Sequence, residues 1–214
     1  MSRYNSRKER WVKRLLPESK KGGYQKKIDE GKADHWEKTG RPSPPPHVIK
    51  VRTVTCFQKQ TKYNVLVETG TFMGDMILSQ LNNFNKIYSI ELSEKYWQDA
   101  KELFKNEPKV NLLKGDSGKK MHELIKELNE PAIFWLDGHY SGADTARGEK
   151  ISPIYQELRA IFSSTLSHCL LIDDARLFDG TDDYPRLEDL KAFVLENRGN
   201  AKINVDADTI SVIY

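Results

Sequence analysis

A chain of 214 residues, 38% hydrophobic and 30% charged, is long enough for one globular core of about 150 residues with a surplus left over. No stretch approaches the roughly 20 consecutive apolar residues of a membrane span, and the N-terminal segment is too charged to contain a signal-peptide apolar region, so the expectation is a soluble, cytoplasmic protein. Cys56 and Cys169 are too few for a disulfide framework and too isolated for a zinc cluster, and each fits a small buried hydrophobe.

The net charge of +3 averages two unlike parts. Through Arg41 there are 13 basic and 6 acidic residues, a balance of +7, which leaves −4 for the rest of the chain. Within this arm Trp11, Val12, Leu15 and Leu16 recur at helical spacing among basic residues, which predicts a short amphipathic helix ending near Pro17. Gly22 and Gly23 then read as an interruption. The run Arg41-Pro-Ser-Pro-Pro-Pro46 favours extended polyproline geometry and marks a linker. The expected division is a basic arm over residues 1–46 and a folded domain over 47–214. The cationic stretch 1–41 suits either nucleic-acid phosphates, an anionic membrane surface, or solvent alone. It carries no aromatic RNA-reading motif.

His47 to Gln60 fits a helix leading into the core. After residue 60, short β-branched runs alternate with amphipathic stretches, which predicts strands near 64–68, 86–91, 109–113, 132–137 and 168–173, and helices near 74–83, 93–105, 117–129, 152–165 and 186–198. Repeated strand–helix units imply an α/β fold, a Rossmann-like doubly wound sheet of mostly parallel strands. Ala201–Val205 and Thr209–Tyr214, separated by Asp206-Ala207-Asp208, read as an antiparallel C-terminal hairpin. Such sheets bind ligands at the carboxyl ends of their strands, beside the switch in strand order.

The first strand ends in Val67-Glu68-Thr69-Gly70-Thr71-Phe72-Met73-Gly74-Asp75. Glycines allow a tight turn and close approach to a ligand, and an acid there can accept bonds from an ammonium group. A dinucleotide fingerprint would need a glycine at position 68, where a glutamate repels phosphate. The second strand ends in Glu91, placed about 20 residues on, where a carboxylate can hold both hydroxyls of a ribose. The third leads into Gly115-Asp116-Ser117, where Asp116 fits either a ligand contact or a helix N-cap.

Glu68-x-Gly70-x-x-x-Gly74, Glu91 and Gly115-Asp116-Ser117, in this order, resemble the three cofactor motifs of class I S-adenosylmethionine-dependent methyltransferases over about residues 60–214. The terminal hairpin is similar to that fold's reversed seventh strand. The resemblance implies S-adenosylmethionine as cofactor. Glu68, Thr69, Gly70, Thr71 and Gly74 would then lie around its methionine end, Glu91 at the ribose, Asp116 and Ser117 at the adenine, and Asp137 at the rim beside them.

The fourth strand runs into Asp137-Gly138-His139-Tyr140 and the fifth into Asp173-Asp174. Carboxylates crowded on one rim repel unless a cation sits between them, and an all-oxygen site suits Mg²⁺ better than zinc. Asp173 and Asp174 could instead cap a turn or pair with Arg176 and Arg147. The same residues are similar to the metal-dependent sugar O-methyltransferases of the macrocin and novobiocin type, which implies Asp137, Asp173 and Asp174 as Mg²⁺ ligands. That family has an acidic base two residues after the first Asp, where this chain has His139. A neutral imidazole is also a competent base, and His139 could equally be a ligand. Tyr140, Arg147 and Arg176 stand in segments placed to meet a substrate.

The resulting expectation is an O-methyltransferase acting on a small-molecule or saccharide hydroxyl, with a homodimer as the default assembly. The alternatives are a nucleic-acid methyltransferase that uses the basic arm and a non-catalytic binding protein on the same fold.

Overall fold

The computed structural model describes residues 18–138 and 153–214. They fall into two compact units, one ending at Lys50 and the other spanning Val51–Tyr214. The first unit corrects one expectation. Gly22 and Gly23 do not interrupt the chain, because helix α1, Glu18–Lys38, runs straight through them. Each interior glycine costs about 1 kcal/mol of helix propensity. Side-chain pairs one turn apart offset part of that cost: Gln25 donates to Asp29 at 2.9 Å, and Lys26 faces Glu30 at 3.9 Å.

The helix stops at a different glycine. Gly40, at φ +84°, donates to the Glu37 carbonyl, and the Arg41 N–H reaches back to Trp36 O at 2.9 Å. This is the paired closure that a left-handed glycine permits at a helix C-terminus. The Trp36 indole donates to Pro42 O at 2.8 Å, and the Arg41 guanidinium lies 4.9 Å over its ring. Arg41 has φ +58° and the chain bends at residues 43–44, so the run is not the uninterrupted extended polyproline segment expected. The predicted helix ending near Pro17 lies outside the described residues.

Helix α2, His47–Thr61, leads to β1, Val65–Thr69. There follow α3 (Asp75–Gln80), β2 (Lys86–Glu91), α4 (Glu94–Leu103), β3 (Val110–Lys114), α5 (Ser117–Glu127), β4 (Ala132–Leu136), α6 (Ile154–Phe162), β5 (Cys169–Ile172), α7 (Leu187–Asn197), β6 (Lys202–Asp206) and β7 (Thr209–Ile213). The sheet order is β3-β2-β1-β4-β5-β7-β6, parallel through β5, with β7 antiparallel to both its neighbours. The expected doubly wound sheet with a reversed hairpin is therefore present. Strand order reverses between β1 and β4, so their carboxyl ends open side by side. Helix α3 is shorter than the 74–83 expected, closing in a turn in which the Asn83 N–H meets Gln80 O.

Each central strand buries both faces, so the apolar runs are continuous rather than alternating. On one face Val65, Val67, Phe134, Leu170 and Ile172 pack with Leu158 and Ile161 of α6 and Leu190 and Val194 of α7. On the other, Leu66, Ile133, Trp135 and Leu171 pack with Val54 of α2, Met76 and Ile77 of α3 and Ala100 of α4. Cys169 is buried in this second layer as expected, whereas Cys56 is exposed on α2. Among the described residues no helix is long and apolar enough to cross a membrane.

His168 locks the far end of the sheet. Its Nδ1 accepts the Ala132 N–H at 3.1 Å, its Nε2 faces Ser164 Oγ at 3.1 Å, and the ring meets Phe134 edge-on at 5.0 Å. Burial and the Arg198 charge lower its pKa to about 4, so it stays neutral in the fold. The unfolded chain takes up a proton near pH 6.5 that the folded chain refuses. The contribution of His168 to stability is therefore full above pH 6.5 and falls by up to about 3 kcal/mol as pH drops toward 4. Compared by urea titration at pH 7 and pH 4.5, the wild type should lose at the lower pH the stability advantage that it holds over His168→Asn at pH 7.

Candidate functional site

The loop after β1 is the most constrained backbone near the switch point. Gly70 sits at φ +85°, and a Cβ there would stand 2.6 Å from the Asp137 carbonyl oxygen. A side chain would thus collide with backbone where β1 and β4 open, while the Gly70 N–H donates to Ile90 O of β2 at 2.9 Å. Gly74, at φ +75°, precedes α3 against the Phe104 ring, which a Cβ would meet at 2.8 Å. Between them Phe72 holds φ +46°, a strained value for a bulky residue. Its N–H is pinned by Glu91 Oε2 at 2.8 Å, and its ring leans on Tyr96 at 4.7 Å.

Two acids, Glu91 and Glu68, brace this loop. Glu91 uses its second oxygen to accept the Ser93 N–H at 2.7 Å, so one carboxylate ties the β1 loop to the start of α4. Glu68 is 2% exposed and accepts from Ser89 Oγ at 2.6 Å, and Ser89 is in turn 2.6 Å from Thr71 Oγ1. Burial raises the Glu68 pKa to about 8 against the opposing Ser89 bond, with the charges of Asp137, Glu91 and Asp75 adding to the rise. Thr69 is fully buried beneath the same loop. At the end of β3, the Gly115 N–H donates to Glu91 O, and Asp116 caps α5 by accepting the Lys119 N–H at 3.3 Å. Ser117 is the first residue of that helix, 9% exposed.

The acids of β4 and β5 converge. One carboxylate oxygen from each of Asp137, Asp173 and Asp174 lies within 4.8 Å of the others, with Asp173 and Asp174 buried. Three hard oxygen donors brought together in this way could hold a divalent cation. Asp174 stands at φ +57°, and the Arg176 Nη1 bonds its Oδ1 at 2.6 Å. The same guanidinium bonds Asp208 Oδ2, while Asp208 Oδ1 accepts the Arg176 N–H at 2.9 Å. Arg176 thus ties the β5 terminus to the β6–β7 turn and holds the Asp174 carboxylate in place. His139, Tyr140 and Arg147 lie outside the described residues.

Two further side chains belong to this rim. Glu157 of α6, 2% exposed, reaches within 3.2 Å of the position a Cβ on Gly138 would take. With Gly138, Ile154, Asp173, Phe178 and Tyr184 it lines a cleft at the ends of β4 and β5. Burial, then the charges of Asp174 and Asp137, raise the Tyr184 pKa, so its hydroxyl keeps its proton. A sequence signal for Glu157 existed: it shares the apolar stripe of Ile154, Leu158 and Ile161, where an acid is buried only for a reason. Tyr184 had no such periodic signal.

No family model matches the chain, and no curated protein sequence matches it. Solved structures do. A methyltransferase from Podospora anserina with SAH bound aligns at TM-score 0.59 and 16% identity, covering 93% of this chain and 97% of that one. The O-methyltransferase from Bacillus cereus in complex with SAH aligns at TM-score 0.55 and 15% identity over 96% of each chain. The O-methyltransferase of tomaymycin synthesis from Streptomyces achromogenes, in complex with SAM, aligns at 0.54 and 13% over 86% and 87%. The fold is the Rossmann-like methyltransferase fold. At these identities the likeness is one of architecture.

The raised Glu68 pKa predicts a pH signature. A carboxyl that ionises near 4.5 when unfolded and near 8 when folded makes a contribution to stability that is full below pH 4.5 and is lost as pH rises toward 8. Glu68→Gln keeps an acceptor for Ser89 without the charge. Its stability relative to the wild type should rise by a few kcal/mol between pH 5 and pH 8, measured by chemical denaturation.

Proposed function

We propose that the chain is an S-adenosylmethionine-dependent O-methyltransferase, acting on a small-molecule or saccharide hydroxyl with a divalent cation at the acidic rim. The single observation that supports this most is the juxtaposition at the switch point. A strained glycine loop braced by two buried acids opens directly beside three converging carboxylates. Similarity to structures with SAM or SAH bound supports the cofactor. The macrocin and novobiocin-type motifs support metal assistance.

When bound, the cofactor supplies an electrophilic sulfonium methyl and the cation polarises the acceptor hydroxyl. The chain's own residues supply position. Gly70 lets the backbone come close to the methionine end, and Glu68, held by Ser89 below the loop, gives that end negative character when ionised. Thr69 and Thr71 contribute backbone, and Gly74 lets the loop enter α3. Glu91 retains lone pairs for a ribose beyond its two backbone bonds, and Asp116 and Ser117 border the adenine.

Asp137, Asp173 and Asp174 would hold the cation. His139, next but one to Asp137, would take the hydroxyl proton as a neutral base, and alignment of oxygen, methyl and sulfur would carry most of the rate. Tyr140 and Arg147 are proposed to meet the acceptor. Arg176 contributes by orienting Asp174, since that carboxylate and Asp208 engage its guanidinium. Residues 1–46 are proposed as an accessory arm and 47–214 as the methyltransferase domain.

Calorimetric titration with S-adenosylmethionine tests the reading: saturable binding is expected, and none at millimolar cofactor would end it. Asp173→Asn should keep cofactor affinity within about threefold while methyl transfer to an acceptor pool falls about a hundredfold. EDTA should reproduce that loss in the wild type and added Mg²⁺ reverse it. Transfer untouched by EDTA would remove the cation and leave the methyltransferase.

A further inference from the structure

A sheet has two edges, and this chain treats them differently. On β3 every residue is half-buried, and the Trp97 indole lies across the strand, donating to Leu112 O at 3.4 Å. On β6 only Ile203 is half-buried. Lys202, Asn204, Val205 and Asp206 are exposed, Val205 to 41%. Exposed edge strands invite pairing with another chain unless something blocks them.

The hairpin settles which backbone groups β6 offers. Ala207 and Asp208, at φ +47° and +61°, form a two-residue turn closed by the Asp206–Thr209 pair. In such hairpins the closing pair is hydrogen-bonded and the bonding alternates from there. Asp206, Asn204 and Lys202 therefore direct their backbone groups to β7, and Val205 and Ile203 direct theirs outward.

The side chains read Lys202-Ile203-Asn204-Val205-Asp206: basic, apolar, polar, apolar, acidic. That order is complementary to its own reverse. When two copies run antiparallel about a two-fold axis at Asn204, Lys202 of each faces Asp206 of the other and Ile203 faces Val205. The Ile203 and Val205 positions are the outward-bonding ones, so this register also lets the backbones exchange hydrogen bonds. Sliding by one residue points the bonding groups away, and sliding by two sets Lys202 or Asp206 against Asn204. Charge and hydrogen bonding select the same register.

We propose that β6 is a self-association edge, on which a second copy of this chain docks antiparallel through Lys202–Asp206 and continues the sheet across two subunits. A two-fold interface is self-complementary by definition, and this strand meets that condition. Strand pairing alone buries less than the roughly 1,600 Å² of a standard interface, so a weak, concentration-dependent dimer is expected. It does not depend on any catalytic reading of the site.

Sedimentation equilibrium of the full chain, from micromolar to hundreds of micromolar, tests it. A monomer–dimer equilibrium is expected, weakened about tenfold by Lys202→Glu, because both symmetry-related pairs become repulsive. Asp206→Lys should weaken it similarly, and the double variant K202E/D206K should return to within about threefold of the wild type. Val205→Pro, which removes an outward N–H while sparing the bonds to β7, should be monomeric with an unchanged circular dichroism spectrum. A chain that stays monomeric throughout overturns the proposal. So does a dimer indifferent to Lys202→Glu and Val205→Pro.

Discussion

The close approach of Gly70 to the Asp137 carbonyl is the constraint from which the site follows. Only 2.6 Å would separate a Cβ at residue 70 from that oxygen, so the β1 loop must be glycine to leave the sheet where β4 also ends. That contact holds two chain exits side by side at the reversal of strand order, where a doubly wound sheet opens a crevice. Everything that follows along the loop is conditioned by it. Phe72 is driven to a positive φ and held there by Glu91, and Gly74 brings the chain into α3 against Phe104.

Placing so many acids at one end of a sheet has an energetic consequence, and the chain meets it in different ways. Glu68 meets it by holding its proton to about pH 8. Glu91 meets it with two backbone N–H donors, and Asp116 with the amide of a helix terminus. Asp174 has a guanidinium, itself shared with Asp208 from the β6–β7 turn. The reversed hairpin therefore does more than complete the sheet, since its turn supplies part of the electrostatic support for a residue of the acidic rim. Charges buried together are costly to a fold unless each is paired or hydrogen-bonded.

The fold was legible because its signals are local and repeated. Apolar β-branched runs, amphipathic stretches between them and Asp206-Ala207-Asp208 as a turn place nearly every strand and helix within a few residues. Gly22 and Gly23 weaken the helix without breaking it, because Gln25–Asp29 and Lys26–Glu30 carry α1 past them. The glycine that ends the helix is Gly40, where a left-handed residue closes the last turn. Cys56 is exposed rather than buried, since residue type alone does not say which side of α2 faces solvent.

Of the site, the sequence by itself determined the row of acids and glycines at the strand ends, because in a parallel sheet position along the strand dictates position in space. It also determined the charge order of β6, though the meaning of that order depends on which backbone groups face outward. Tertiary structure alone decided which acids meet. The convergence of Asp137 with Asp173 and Asp174, the bond from Arg176 to Asp208 across 32 residues, and the entry of Glu157 into the rim all depend on how β4, β5, α6 and the hairpin pack. Local propensity acts over a few residues. Contacts between distant segments are set by the pairing of strands and the burial of helix faces, and only the folded sheet supplies both.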